Sequence, residues 1–161
     1  MSSRLIPFPA LAVHECSALS PASLHAAVAP FRRRHRSLIA AAGLWALGQG
    51  VSLPADHIAL WAAAVDELDC SGNVDGMTGP WAASAVVDLM DKIAEWCALS
   101  GCSLPTNLAE SLWHLYGFLA ETNRLHRASH SLTELRACVV VFATFDRFHR
   151  IPSPPPEPTA A

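Results

Sequence analysis

Between Pro80 and Gly101 the chain carries a pattern that only a helix satisfies. Asp88, Asp91, Lys92 and Glu95 recur at i, i+3, i+4 and i+7, and Ala82, Ala85, Val86, Leu89, Ile93 and Trp96 fall on the opposite side. A 3.6-residue period places each set on its own face; a strand would need an alternation of two. Gly101 then suits the left-handed residue that ends a helix. A helix with one apolar stripe must bury it against other elements, and the neighbouring segments carry the same period.

Those segments are set out by Gly and Pro. Ser20-Pro21 is a helix start, with Ser20 as N-cap and Pro21 in the first turn. A first helix near 21–29 is expected to end at Pro30. A second, near 31–47, has Phe31, Leu38, Ala42 and Trp45 in register and stops in Gly48-Gln49-Gly50. A third follows Ser52-Leu53-Pro54 and reaches Leu68, with Ile58, Trp61, Val65 and Leu68 on one face and Asp56, Ala59, Ala63 and Asp66 on the other. Residues 69–79 read as a loop. Near 107–125, Leu108, Leu112, Leu115 and Leu119 mark a fifth helix. The last opens on the capping box Ser131-Leu132-Thr133-Glu134 and runs to about His149. Its Val139-Val140-Val141-Phe142 run is apolar nearly all round and could also read as a buried strand. The segment is too long for one, and Glu134, Arg136, Asp146 and Arg147 mark a polar side, so a helix through the middle of the bundle is expected. The fold class is therefore all-α: a single-domain bundle of about six helices over residues 20–150. Residues 1–19 read as an irregular arm, and residues 151–161, with five prolines, as a disordered tail.

One block recurs. Trp45-x4-Gly50-x-Ser52-Leu53-Pro54 returns 51 residues later as Trp96-x4-Gly101-x-Ser103-Leu104-Pro105, with Asp56 and Asn107 at matching places. Both read as helix, Gly stop, Ser-Leu-Pro turn, helix. A duplicated helical hairpin and independent use of one turn chemistry both produce this echo.

The 161 residues are enough for one sizeable core. Apolar residues are 52% and charged ones 16%, a low charge fraction that suggests surface covered by a partner or another copy. Charge is also sorted. Residues 1–36 hold five Arg against Glu15, residues 37–123 ten acids against Lys92, and residues 124–150 five Arg against Glu134 and Asp146. Basic ends around an acidic middle favour oriented contact with an anionic partner or pairing between copies. The five Cys, odd in number and irregular in spacing, do not form a secreted disulfide framework and read as reduced and cytoplasmic. Pro7, Pro9 and His14-Glu15 argue against a signal peptide. Residues 37–55 are uncharged, but Gly43, Gly48, Gln49, Gly50, Ser52 and Pro54 leave too short an apolar run to span a membrane, so a buried helix is expected.

Phe31-Arg32-Arg33-Arg34-His35-Arg36 is the strongest local signal for chemistry. Four Arg near a helix start oppose the positive end of the helix dipole, and external phosphates would relieve that repulsion. An acidic surface on the same or another chain would do so too, and a solvated patch is the plain alternative. Arg32 and Arg36 share a helix face, with Arg33 beside them; all were expected to lie on the polar side, away from the core. Arg124, Arg127, Arg147 and Arg150 form a distal basic set around helix ends, where cations are ordinary.

No metal or cofactor is implied. His126-x3-His130, His14-Glu15-Cys16 and Cys97-x4-Cys102 lack the paired spacing of zinc sites. Asp69-x-Ser71-x-Asn73-x-Asp75 lacks the Gly and Glu of a calcium loop. No GxSxG, phosphate loop or dinucleotide fingerprint occurs, which points away from an enzyme. The five Trp read as core. The expectation is a non-enzymatic, cytoplasmic subunit whose partners are other protein subunits or copies of itself. Its Arg-rich ends would contact the backbone of RNA or single-stranded nucleic acid, with no membrane involved. Small helical subunits of CRISPR-type ribonucleoprotein complexes share that physical description, as an analogy of class without a matching motif. The alternative is a regulatory bundle whose basic ends pair with acidic protein surfaces.

Overall fold

The structure, a computed structural model, describes residues 23–70 and 79–149, and the side chains of 23–68 and 79–143. Seven helices and no strand occur among the described residues: α1 Leu24–Ala27, α2 Ala29–Arg34, α3 Arg36–Gln49, α4 Ala55–Cys70, α5 Ala83–Ser100, α6 Leu108–Glu121 and α7 Leu132–His149. The expected start at Ser20-Pro21, the arm 1–19, most of the loop 69–79 and the tail 151–161 lie outside the described residues.

The seventh helix comes from the N-terminal part, where two expected helices are three. Pro30 has no N–H, so α1 cannot run through it. The break falls at Val28, earlier than the expected stop, and Pro30 sits in the first turn of α2, where its missing donor costs nothing. Ser23 caps α1, its hydroxyl accepting from Ala26 N at 3.2 Å. A second bend, at His35, divides the expected 31–47 helix. α2 lies on α4, whereas α3 touches α4 and runs on to α6, so the bend lets the second half reach a further neighbour.

The repeated turn has one geometry in both places. Gly50 and Gly101 are left-handed, each at φ 68°. Val51 N donates to Ala46 O at 3.0 Å and Cys102 N to Cys97 O at 3.1 Å, the longer bond of a Schellman cap in each case. The packing also echoes: α3 lies on α6 and α5 on α4, with α4 and α6 in contact between them. The α5 N-terminus lacks a side-chain cap of its own and is closed from a distance. His130 Nδ1 accepts from Ala83 N at 3.0 Å, and Ser129 Oγ accepts from Trp81 N at 3.0 Å.

α4 is the centre, in contact with α2, α3, α5 and α6. Residues 58–65 are buried without interruption, so Ala59 and Ala63, read from sequence as an outer face, are inside. Alanine fits a tight interhelical contact as readily as it fits solvent, and α2 lies along this face, with Arg32 on Asp56 and Arg34 on Asp66. α7, expected in the middle, lies at the edge against α5 and α6. Leu135 and Val139 are buried, while Val140 and Val141 stand about half exposed. Trp61, Trp81 and Tyr116 form the aromatic heart. Trp61 stacks on Trp81 with centroids 5.9 Å apart, and Tyr116 meets Trp81 and Trp61 edge-on at 5.6 and 6.4 Å. Offset and edge-on pairs suit the ring quadrupole. Trp96 is also buried; Trp45 is half-buried and Trp113 reaches the surface, so the Trp set is core only in part. No described helix is long and apolar enough to cross a membrane.

Candidate functional site

The Arg run straddles the bend between α2 and α3, and the fold divides it in two. Arg32 Nη1 donates to Asp56 Oδ1 at 2.5 Å and lies against His25 Nδ1, which is itself 2.9 Å from Asp56 Oδ2. Arg34 Nη1 donates to Asp66 Oδ2 at 2.9 Å, and His35 Nε2 reaches the same oxygen at 3.1 Å. The Arg34 guanidinium also lies 5.7 Å from the Phe31 ring centroid. Asp56 and Asp66 belong to α4, so the acidic middle of this chain already neutralises half of the run. Partial burial would raise the Asp56 carboxyl. Hydrogen bonds from Arg32 and His25, with their charge, outweigh it and hold the group below its ordinary 3.8.

Arg33 and Arg36 are left over. Both are exposed, and neither has an ion pair or hydrogen bond among the described residues. With Ala29 and Arg32 they line an open groove of about 470 Å³. The spacing 29, 32, 33, 36 is one helical face carried across the bend, as the sequence suggested for Arg32, Arg33 and Arg36. Arg32 is no free member of that face. Its side chain is 23% exposed, because the Asp56 carboxylate draws it in.

The distal set is only partly described. Arg124 lies 5.3 Å over the Phe118 ring, beside the end of α6. Arg127 is exposed in the turn that follows. Arg147 belongs to α7, but its side chain, like Arg150, is outside the described residues. Arg136, between the two ends, is spent on α6: its guanidinium lies 4.5 Å over Trp113 and its Nε donates to Trp113 O.

The histidines have structural work. His126 Nδ1 accepts from Ala128 N and His130 Nδ1 from Ala83 N, so the pair at x3 spacing is committed to turn and cap. Among the described residues no three His, Cys, Asp or Glu side chains converge as metal ligands would. One contact has no signal in the sequence. His57 of α4 lies 2.6 Å from the Ser111 hydroxyl of α6, and Ser111 is 3% exposed. Burial pushes the His57 pKa below 6.5 against the pull of the Asp56 charge, so the ring is held neutral. The pair joins two core helices; its hydroxyl is closed to solvent. On α5 the acidic stripe faces outward, with Lys92 bonded to Glu95 at 3.0 Å and reaching Glu67 at 3.5 Å.

No protein-family model, curated protein or solved structure matches the chain.

Proposed function

We propose that the chain is a non-enzymatic helical subunit of a larger assembly, and that it lays Arg33 and Arg36 along the phosphates of RNA or single-stranded nucleic acid. The observation that carries this reading is the division of the Arg run. Two guanidiniums are fixed on α4 acids, and two remain uncompensated among the described residues on one open groove, Arg33 in the last turn of α2 and Arg36 in the first turn of α3. Arg36 opposes the α3 dipole and gains from an outside anion, whereas Arg33 ends α2, where a cation is at home and its guanidinium alone is offered. Forked donors on a mobile stem suit phosphate oxygens without reading base edges. Arg124 and Arg127 are the second contact region in this proposal, which is set in the cytoplasm, where Cys97, Cys102 and Cys138 remain thiols.

The ion pairs to Asp56 and Asp66 favour a second reading, in which Arg33 and Arg36 meet carboxylates of a partner protein. Salt titration of binding to a labelled single-stranded RNA separates the two. Phosphate contact predicts weak sequence preference and an affinity falling steeply with salt, and Arg33→Ala with Arg36→Ala lowers the slope by roughly 0.7 per contact. Unchanged affinity and slope in the double variant would refute the phosphate reading.

A further inference from the structure

We propose that the outward face of α3 is an interface with a second copy of this chain, packed antiparallel about a two-fold axis near Gly43 and Leu44. Leu44 is 73% exposed and Leu47 79%, the most exposed large apolar residues described. Ala40, Gly43 and Gly48 are exposed beside them, and a Cβ built on either glycine meets nothing within 4 Å. The strip is exposed and without charge from Ser37 to the end of the helix.

The molecule contains its own control. α5 ends in the same cap, and its outward positions correspond to those of α3 at the 51-residue offset. There Asp88, Asp91 and Glu95 stand exposed among Val87, Ala94, Ala98 and Leu99; the residues of α3 that match the three acids are Ser37, Ala40 and Leu44. One face is solvated. The other, in the same register before the same turn, has lost every charge, as a face covered by protein does.

Charge selects a second copy and its direction. α3 begins with Arg36, preceded by Arg33, and contains no acid. Its own dipole disfavours cations at that end. In an antiparallel pair each Arg36 lies towards the partner copy's α3 C-terminus, where unsatisfied carbonyls are negative. A parallel pair would set the two Arg runs together. The antiparallel pair is isologous and closes on itself. The small residues admit a close approach, and the two leucines of each copy seat over the glycines of the other. A helix of 14 residues is about 21 Å long. Two such faces bury less than the roughly 1,200 Å² of a standard interface, so the dimer is expected to be weak, in the micromolar range.

The test uses the full chain without nucleic acid and with Arg33 and Arg36 intact, so its result is independent of the phosphate reading. Sedimentation velocity across concentration is expected to show a monomer–dimer equilibrium. Leu44→Glu with Leu47→Glu raises the dissociation constant at least about 100-fold, since each leucine buried is worth more than tenfold. Val87→Glu, on the exposed side of α5, leaves it unchanged. Circular dichroism checks that the double variant folds. If it does not fold, Leu44→Cys carries the test. It forms a disulfide-linked dimer under mild oxidation, where the wild type and Val87→Cys do not. A monomer at every concentration, dimerisation that survives the double Glu variant, or no cross-link at Leu44→Cys overturns the proposal.

Discussion

Arg32 is expected to matter for folding in a way that Arg33 and Arg36 do not. Arg32 and Asp56 are each about a quarter exposed, at 23% and 26%, and bonded at 2.5 Å. Fully exposed pairs are worth about 0.2–1 kcal/mol and hydrogen bonds to charged groups about 1.5–3. A pair screened by that much solvent falls between, at about 1–2 kcal/mol. At about 2–4 °C per kcal/mol for a chain of this size, Arg32→Ala lowers Tm by about 2–8 °C. Arg33→Ala and Arg36→Ala shift it by less than the uncertainty of a melt. The assay is a double-mutant cycle of Arg32→Ala and Asp56→Asn, read by urea unfolding followed through Trp fluorescence. Asp56 is more acidic in the fold, so the unfolded chain takes up its proton first as pH falls. The coupling is therefore full above 3.8 and is lost as pH drops through the lower folded value. A coupling of zero near neutral pH, or one that persists at strongly acid pH, would show that Arg32 is not held as described.

The remaining predictions concern the core and the turns. The His57 pKa is depressed from 6.5, so stability is full above that value and declines as pH falls towards the folded value; His57→Gln, which keeps a partner for Ser111, flattens the decline in denaturant midpoints taken across this window. Gly50→Ala and Gly101→Ala each cost about 1–2 kcal/mol from the left-handed backbone alone, because neither new Cβ meets an atom within 4 Å, and equal shifts in urea midpoint would check that the turns are equivalent. Leu112→Ala, at a site 1% exposed, is expected to cost about 2–5 kcal/mol by the same measurement.

What the sequence determined alone is the local chemistry. The α5 stripe, the Gly stops at 50 and 101, and the Ser131–Glu134 box each depend on residues within one or two turns of each other. The structure returns them where the pattern put them, because a cap or an amphipathic face is complete within its own segment. Tertiary structure decided whatever depends on distant partners. Alanine does not state whether it is inside, so the central place of α4 emerged only from the packing, in which Ala59 and Ala63 are buried and four helices meet α4. The Val run of α7 predicted a central helix, but α4 already holds the centre, and Val140 and Val141 face outward. The bend at His35, beyond which α3 reaches α6 as well as α4, has no such local signal. Arg32 finds Asp56 across 24 residues, Ala83 its cap at His130 across 47, and His57 Ser111 across 54. No spacing rule links such pairs, because the path between them runs through the packed bundle rather than along the chain. The Arg run was legible as a cluster; only packing against the α4 acids separated the guanidiniums that hold the fold from those left facing solvent.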